Sequence, residues 1–485
     1  MVNERKDYIS VVVLFCVNLI NNVDRYTIAG VLPQVQDYYD INDSMAGMIQ
    51  TVFLISFMIG SPICGYLGDR FNRKYVMLVG MVIWLVCVCV STLIPRNLFP
   101  VFLVVRSLVG IGEASYVNIC PTMISDMFTT DKRTRVYMFF YLAVPVGSGL
   151  GYIISSNVAS WTKSWQWGVR VTGVGGIIAL LALLFLVYEP ERGAAEKLEG
   201  KESVRRSTSY MKDLKILLRC PTYVVTTLAY TALVFVSGTL TWWQPTIIEY
   251  SVAWTRGYES IKELPEDFKK ATGVIFGLLT TGCGIVGVLV GNLLAQCFLY
   301  GWLGSWSKTK RAHLIAAGFG AFIAVPSLFV VFVFGHKSEL LTWVAVGFAI
   351  TGLCFNWSLN IEAFNQIIAP ERRSTALSYV TLISHLCGDA SGPYIIGAIS
   401  DAIKSNHVKS PEWDYKSLAY ASMITPCMMA IATFLYFLAA LLFKRDALKL
   451  EMEMKSKAIE NDDKVSVGVY SIDTWSEDYL NHSKF

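Results

Sequence analysis

Apolar runs of the length that crosses a bilayer, roughly 20 residues, recur along nearly the whole chain, and no other feature limits its fold so tightly. One of them, GVIFGLLTTGCGIVGVLVG from Gly273, has no charged residue at all. In hydrocarbon every backbone N–H and C=O must find its partner within the protein, so such runs are read as membrane-spanning helices. With 54% hydrophobic and 16% charged residues, the composition excludes an ordinary soluble protein and gives no reason to expect nucleic acid as a partner. The first run, Tyr8 to Pro33, is too long and wrongly flanked for a cleaved signal peptide.

Breaks rich in Gly, Pro, charge or turn residues divide the runs into twelve expected spans, at 8–37, 44–68, 75–95, 100–127, 137–159, 167–188, 223–250, 271–300, 313–335, 340–369, 374–404 and 417–443. The fold class is therefore an all-α polytopic membrane protein. The longest internal polar stretch separates six spans from six. It predicts an N-terminal six-helix bundle (1–188), a cytoplasmic linker (189–222), a C-terminal six-helix bundle (223–443) and a cytoplasmic tail (444–485). The tail is polar and mixed in charge, and is expected to be mobile with a short helix at its start. With both termini inside, 28 of the 41 Lys and Arg residues fall in cytoplasmic segments, in keeping with the positive-inside rule. Most of the eleven cysteines lie inside apolar runs, so neither a disulfide framework nor a metal site is indicated, and no cofactor is expected. Asn42 opens a glycosylation sequon in the first outer loop, whereas the sequons at Asn356 and Asn481 fall in a span and in the tail.

Charges inside the spans need an explanation. One near the bilayer centre costs ~2.5–3.5 kcal/mol on insertion scales, so Asp24, Arg25, Arg106 and Glu113 require compensation. Asp24 lies nine residues before Pro33 and Arg106 six after Pro100, both counted from outer helix ends. Their depths then differ by only ~5 Å, and they meet if spans 1 and 4 face each other. Glu113 follows Arg106 by seven residues on the same face, roughly 10 Å away and too far for direct contact. The three compose an expected proton relay: Glu113 is neutral while Arg106 is held by Asp24 and ionised when Arg106 is released, and Arg106 also draws the phosphate of a substrate. The competing reading is a static ion network. Arg25 points about 100° away from Asp24 and either faces the substrate path or snorkels outward.

His385 and Asp389 share a face of span 11. The pair is either a proton carrier near neutral pH or a polar packing contact. In span 10, Asn356 and Asn360 share a face and Glu362 lies nearer another; these three line the cavity or glue helices together. Trp242 and Trp243 precede Gln244 and Pro245 at an expected kink, and form either a binding wall or an interface belt.

The first inner loop reads GYLGDRFNRK, Gly65 to Lys74. It resembles the signature loop of the major facilitator superfamily: Gly, two residues, Asp-Arg, then Gly and two basic residues. Gly65 is expected to allow close helix approach, and Asp69 to accept hydrogen bonds from a neighbouring helix N-terminus. With Arg70, Arg73 and Lys74 it would form an inner gate; the alternative is that these charges only set topology. Asn72 stands where the pattern has Gly, as a residue that also accepts a left-handed turn. The segments DRYTIAGVLP from Asp24, RSLVGIGEASY from Arg106, VPVGSGLGYI from Val144 and SHLCGDASGPYIIG from Ser384 narrow the resemblance to the Spinster branch. That resemblance implies a transporter of lysolipids, such as lysophospholipids or sphingosine-1-phosphate, coupled to protons in some members. It further implies rocking of one bundle against the other, and a late endosomal or lysosomal membrane rather than the plasma membrane. A monomer is expected. Two departures are Leu293 and Gln296, where relatives carry an acidic and a basic residue, and Asn22, where a Tyr usually stands and which is expected to add polarity beside Asp24. No paired-aspartate protease pattern, serine elbow or metal cluster suggests an enzyme; a lipid-sensing receptor on the same fold is the alternative.

Overall fold

Helices in this chain begin where a capping side chain or a proline follows a polar break. The computed structural model describes residues 4–128, 130–191, 210–302, 308–369, 372–405, 407–408 and 410–481. The first six spans are α1 (Glu4–Gly30), α2 (Asp43–Arg70), α3 (Arg73–Ser91), α4 (Phe99–Met127), α5 (Ala143–Thr162) and α6 (Trp165–Leu186). The second six are α7 (Pro221–Thr255), α8 (Glu266–Tyr300), α9 (Ala312–Phe334), α10 (Glu339–Cys354, continued by Asn356–Ile367), α11 (Arg373–Ser384 and Gly392–Lys404) and α12 (Pro411–Ser422, continued by Ile424–Asn481). Shorter helices occupy Leu32–Tyr39, Thr130–Tyr141 and, in the linker, Tyr210–Leu218. Asn42 starts α2 by accepting from the Met45 amide at 3.0 Å, and Ser410 accepts from Trp413 at 3.4 Å to start α12. Pro221 occupies the first turn of α7, where a missing N–H leaves nothing unpaired.

Among the described residues, eleven helices are long and apolar enough to cross a membrane. The exception is α11, whose two halves flank a π-helical turn at His385–Asp389. Pro393 supplies no amide to the turn before it. Around it α11 presses on α7: a Cβ on Gly388 would lie 3.0 Å from the Phe235 amide nitrogen, and one on Gly392 would lie 2.6 Å from Thr239 Oγ1. The expected short tail helix is corrected, since α12 continues to Asn481. Linker residues 192–209 lie outside the described residues.

The spans pack as two six-helix bundles, α1–α6 and α7–α12, each with buried apolar and small side chains between its helices. The bundles meet along two seams, α5 on α8 and α2 on α11. Lipid offers little hydrophobic drive for such contacts, so close packing of small residues carries them. A Cβ on Gly277 would lie 2.4 Å from the Gly149 carbonyl oxygen, and one on Gly47 would lie 2.3 Å from that of Pro393.

Several hydrogen bonds cross the seams. Asp401 accepts from the backbone amides of Asp43 (3.1 Å) and Ser44 (2.8 Å), capping α2 from the opposite bundle. Asp43 in turn takes Lys404 Nζ and Ser400 Oγ, each at 2.7 Å. Thr51 Oγ1 donates to the Ala390 carbonyl at 2.5 Å, Thr281 Oγ1 to that of Pro145 at 3.0 Å, and the Tyr152 hydroxyl to that of Thr241. These contacts tie the two bundles together along both seams.

Candidate functional site

α1 distributes three neighbouring polar side chains to three surroundings. Asp24 enters the N-terminal bundle and is fully buried, accepting from Thr172 Oγ1 at 2.7 Å and Trp84 Nε1 at 3.2 Å. Arg106 approaches it from α4, Nη1 to Oδ2 at 3.9 Å. That is a loose pair: Nε and Nη1 of this buried guanidinium have no hydrogen-bond partner. Thr172 and Trp84 were not singled out in the sequence. The only signal was that an indole N–H deep in a membrane must find an acceptor.

One turn before Asp24, Asn21 reaches Glu113 on α4. The Asn21 amide nitrogen faces the carboxyl and donates to both Glu113 oxygens, at 2.7 and 2.9 Å. The Tyr116 hydroxyl lies against the same amide, so Asn21 ties α1 to Glu113 and Tyr116 of α4. Asn22, expected beside Asp24, instead folds back to donate to the Asn18 carbonyl at 2.8 Å, with its Cβ against Gly147.

Arg25 takes neither of its two expected courses alone. It crosses to the other bundle, where Nη2 meets Asp389 Oδ2 at 3.3 Å and the guanidinium lies over the Phe53 ring at 5.6 Å. His385 Nδ1 is 3.1 Å from both Asp389 oxygens. The π-helical turn places these two side chains beside Arg25, consistent with the tendency of such turns to occur at working positions. Arg25, Asp389 and His385 side chains keep 18%, 12% and 29% of their surface exposed, whereas Arg106 keeps 3%. The inter-bundle triad is thus less enclosed by protein than the Asp24–Arg106 pair.

Other expected binding residues lie elsewhere. Trp242 and Trp243 are buried, and Trp243 Nε1 donates to the Pro393 carbonyl at 3.0 Å, so the pair packs α7 on α11 rather than forming an open wall. Asn356 and Asn360 are buried too; Asn360 Nδ2 donates to the Asn356 carbonyl (2.7 Å) and the Tyr436 hydroxyl (3.1 Å), joining α10 to α12. Glu362 is exposed on another face.

The inner loop also differs from expectation. A Cβ on Gly65 would meet nothing within 4 Å, and the close approach to α4 is made at Gly68 against Ile119. Asn72 is no left-handed residue: at φ −62° it caps α3, accepting from the Tyr75 amide at 3.2 Å. Arg73 binds Asp126 at 2.6 Å and Glu189 at 3.2 Å, and the Lys74 backbone amide donates to Glu189 at 3.0 Å. Arg70 lies 4.2 Å from the Tyr66 ring centre. These contacts stay within the first six spans and their exit; the Asp69 side chain lies outside the described residues.

Residues 14–388 match the Major Facilitator Superfamily. Protein spinster homolog 3 of Danio rerio is 37% identical over 451 residues, covering 93% of this chain and 88% of the relative. The chain belongs to the Spinster branch of that superfamily. Protein spinster homolog 1 of Homo sapiens is 36% identical over 465 residues (94% and 85% covered), and the sphingosine-1-phosphate transporter SPNS2 of Mus musculus 36% over 438 (90% and 78%). Among solved structures, a bacterial homolog of the human lysosomal transporter Spinster, inward-facing and unoccupied, has a TM-score of 0.75 at 20% identity, covering 91% of this chain and 98% of that one. It shares the fold. This Spinster-branch protein is thus a multi-pass membrane transporter and not an enzyme.

Proposed function

We propose that the chain moves lysolipids, of the lysophospholipid or sphingosine-1-phosphate type, by alternating access coupled to protons. The observation that carries this reading is the pair of ionisable clusters rooted in adjacent residues of α1. Asp24–Arg106, with Glu113 on the same face of α4, lies inside one bundle, and Arg25–Asp389–His385 joins the two. Neutralising Glu113 removes the charge that the Asn21 amide meets, and neutralising Asp389 removes the charge that holds Arg25. Each event changes a charge at a place where the bundles or their cores must rearrange. Arg106, with donors unspent, is the group that draws a substrate phosphate when the pair with Asp24 opens. The name of the mouse relative supports a lipid of this class.

Flux of labelled lysolipids into vesicles, with and without a pH gradient, tests the reading. Glu113→Gln should retain substrate binding and lose the pH dependence of transport. A pH profile identical to that of the parent refutes the coupling, and binding without any flux refutes transport in favour of sensing. We further place the chain, as a monomer, in late endosomal or lysosomal membranes, which imaging of a tagged copy checks.

A further inference from the structure

A cavity of about 240 Å³ lies where the linker helix meets the ends of α10, α11 and the C-terminal part of α12. Its walls come from the linker helix and its exit (Ile216, Arg219), the end of α10 (Ile367), the start of α11 (Arg372) and the inner part of α12 (Lys449, Leu450). Its volume falls short of the roughly 300–1,000 Å³ typical of pockets that engulf a whole small molecule.

Arg219 and Lys449 line this space with a carboxylate, Asp446, which is already engaged. Asp446 Oδ2 accepts from the Thr222 amide (3.0 Å) and hydroxyl (2.8 Å) at the start of α7, and Oδ1 accepts from Arg445 at 3.4 Å. Among the described residues the Arg219 and Lys449 side chains have no hydrogen bond or ion pair. Both stand beside apolar wall residues at the ends of spans that the placement of Lys and Arg assigns to the cytoplasmic side. Basic pockets between spans on this side suit phosphate-bearing headgroups.

We propose that this cavity binds the phosphate-bearing headgroup of an anionic inner-leaflet phospholipid, with Arg219 and Lys449 as its cations. The bound headgroup would bridge the linker helix to α12. The transporter could then be regulated by the lipid of its own membrane, independently of what it carries.

The test uses the full chain purified in neutral detergent and titrated with a short-chain phosphatidylinositol bisphosphate, read by native mass spectrometry and by the unfolding midpoint. The parent should bind the lipid and gain thermal stability. Arg219→Gln with Lys449→Gln should lower affinity about 20- to 30-fold, about fivefold per lost cation. A control pair on another inner loop, Lys308→Gln with Lys310→Gln, removes the same charge and should bind as the parent does. If the double variant is unstable without lipid, Lys449→Gln alone should show the fivefold loss. Unchanged affinity in the Arg219/Lys449 variant, or an equal loss in the control, overturns the proposal. So does equally tight binding of free inositol trisphosphate or inorganic phosphate, which would make this a soluble-phosphate site.

Discussion

Asp24 and Arg25 are adjacent in sequence and serve different bundles. One helical step turns Arg25 by about 100°, enough to send Asp24 into the core of its own bundle and Arg25 across to Asp389. A buried charge that loses its partner is costly, by about 3–5 kcal/mol in a dry interior and less where solvent enters. Arg25 is partly exposed, so Arg25→Ala should slow transport about tenfold rather than abolish it. The exchange Arg25→Asp with Asp389→Arg should recover part of the loss in the same vesicle assay. If the exchange is no better than the single variant, the bridge matters only as packing. Of these contacts, the Asp24 and Arg106 depths were legible from counting to Pro33 and Pro100. Trp84, Thr172 and Asn21 were not, because polar side chains in an apolar run carry no mark of which neighbour they will meet.

At the scale of helices, small residues decide where the bundles touch. The Gly149–Gly277 crossing brings backbone to backbone, so Gly277→Val would place a carbon 2.4 Å from the Gly149 carbonyl oxygen. Overpacking of this kind costs about 1–3 kcal/mol, and here it falls on the seam between the bundles rather than on a bundle core. Gly277→Val should therefore lose at least about tenfold in transport while keeping parental expression and unfolding midpoint. A drop in midpoint instead would assign Gly277 to folding. The small-residue spacing of α8 was plain in the sequence. The broken α11 was not: its pattern reads as one span, and only the approach of α7 at Gly388 and Gly392 shows why regular helix gives way to a π turn.

For the whole molecule, the alternating access proposed above requires the α2–α11 seam to part in one of its two states. The attention the sequence drew to Asp69 and an inner gate finds a counterpart in Asp401, which caps α2 from the opposite bundle. Charge-assisted capping of this type is worth about 1–2 kcal/mol. Asp401→Asn should accordingly shift the population toward the state with this seam parted about tenfold. Faster reaction of an impermeant maleimide from outside, at Ser44→Cys in a background without other cysteines, measures that shift. An unchanged rate means the seam rests on the glycine contacts alone.

By itself the sequence determined the helical class, the spacing of the apolar spans and the branch to which the chain belongs. Those follow from local chemistry: the hydrocarbon demands internal hydrogen bonding, and family motifs keep their spacing. Only the tertiary structure decided that Arg25 pairs across the bundles, that Trp243, Asn356 and Asn360 are buried among neighbouring helices, and that Asp401 caps α2 from the opposite bundle. Those outcomes depend on which face of one helix meets which face of another. Residues hundreds of positions apart, such as Arg25 and Asp389, acquire their partners only when the two bundles close on each other.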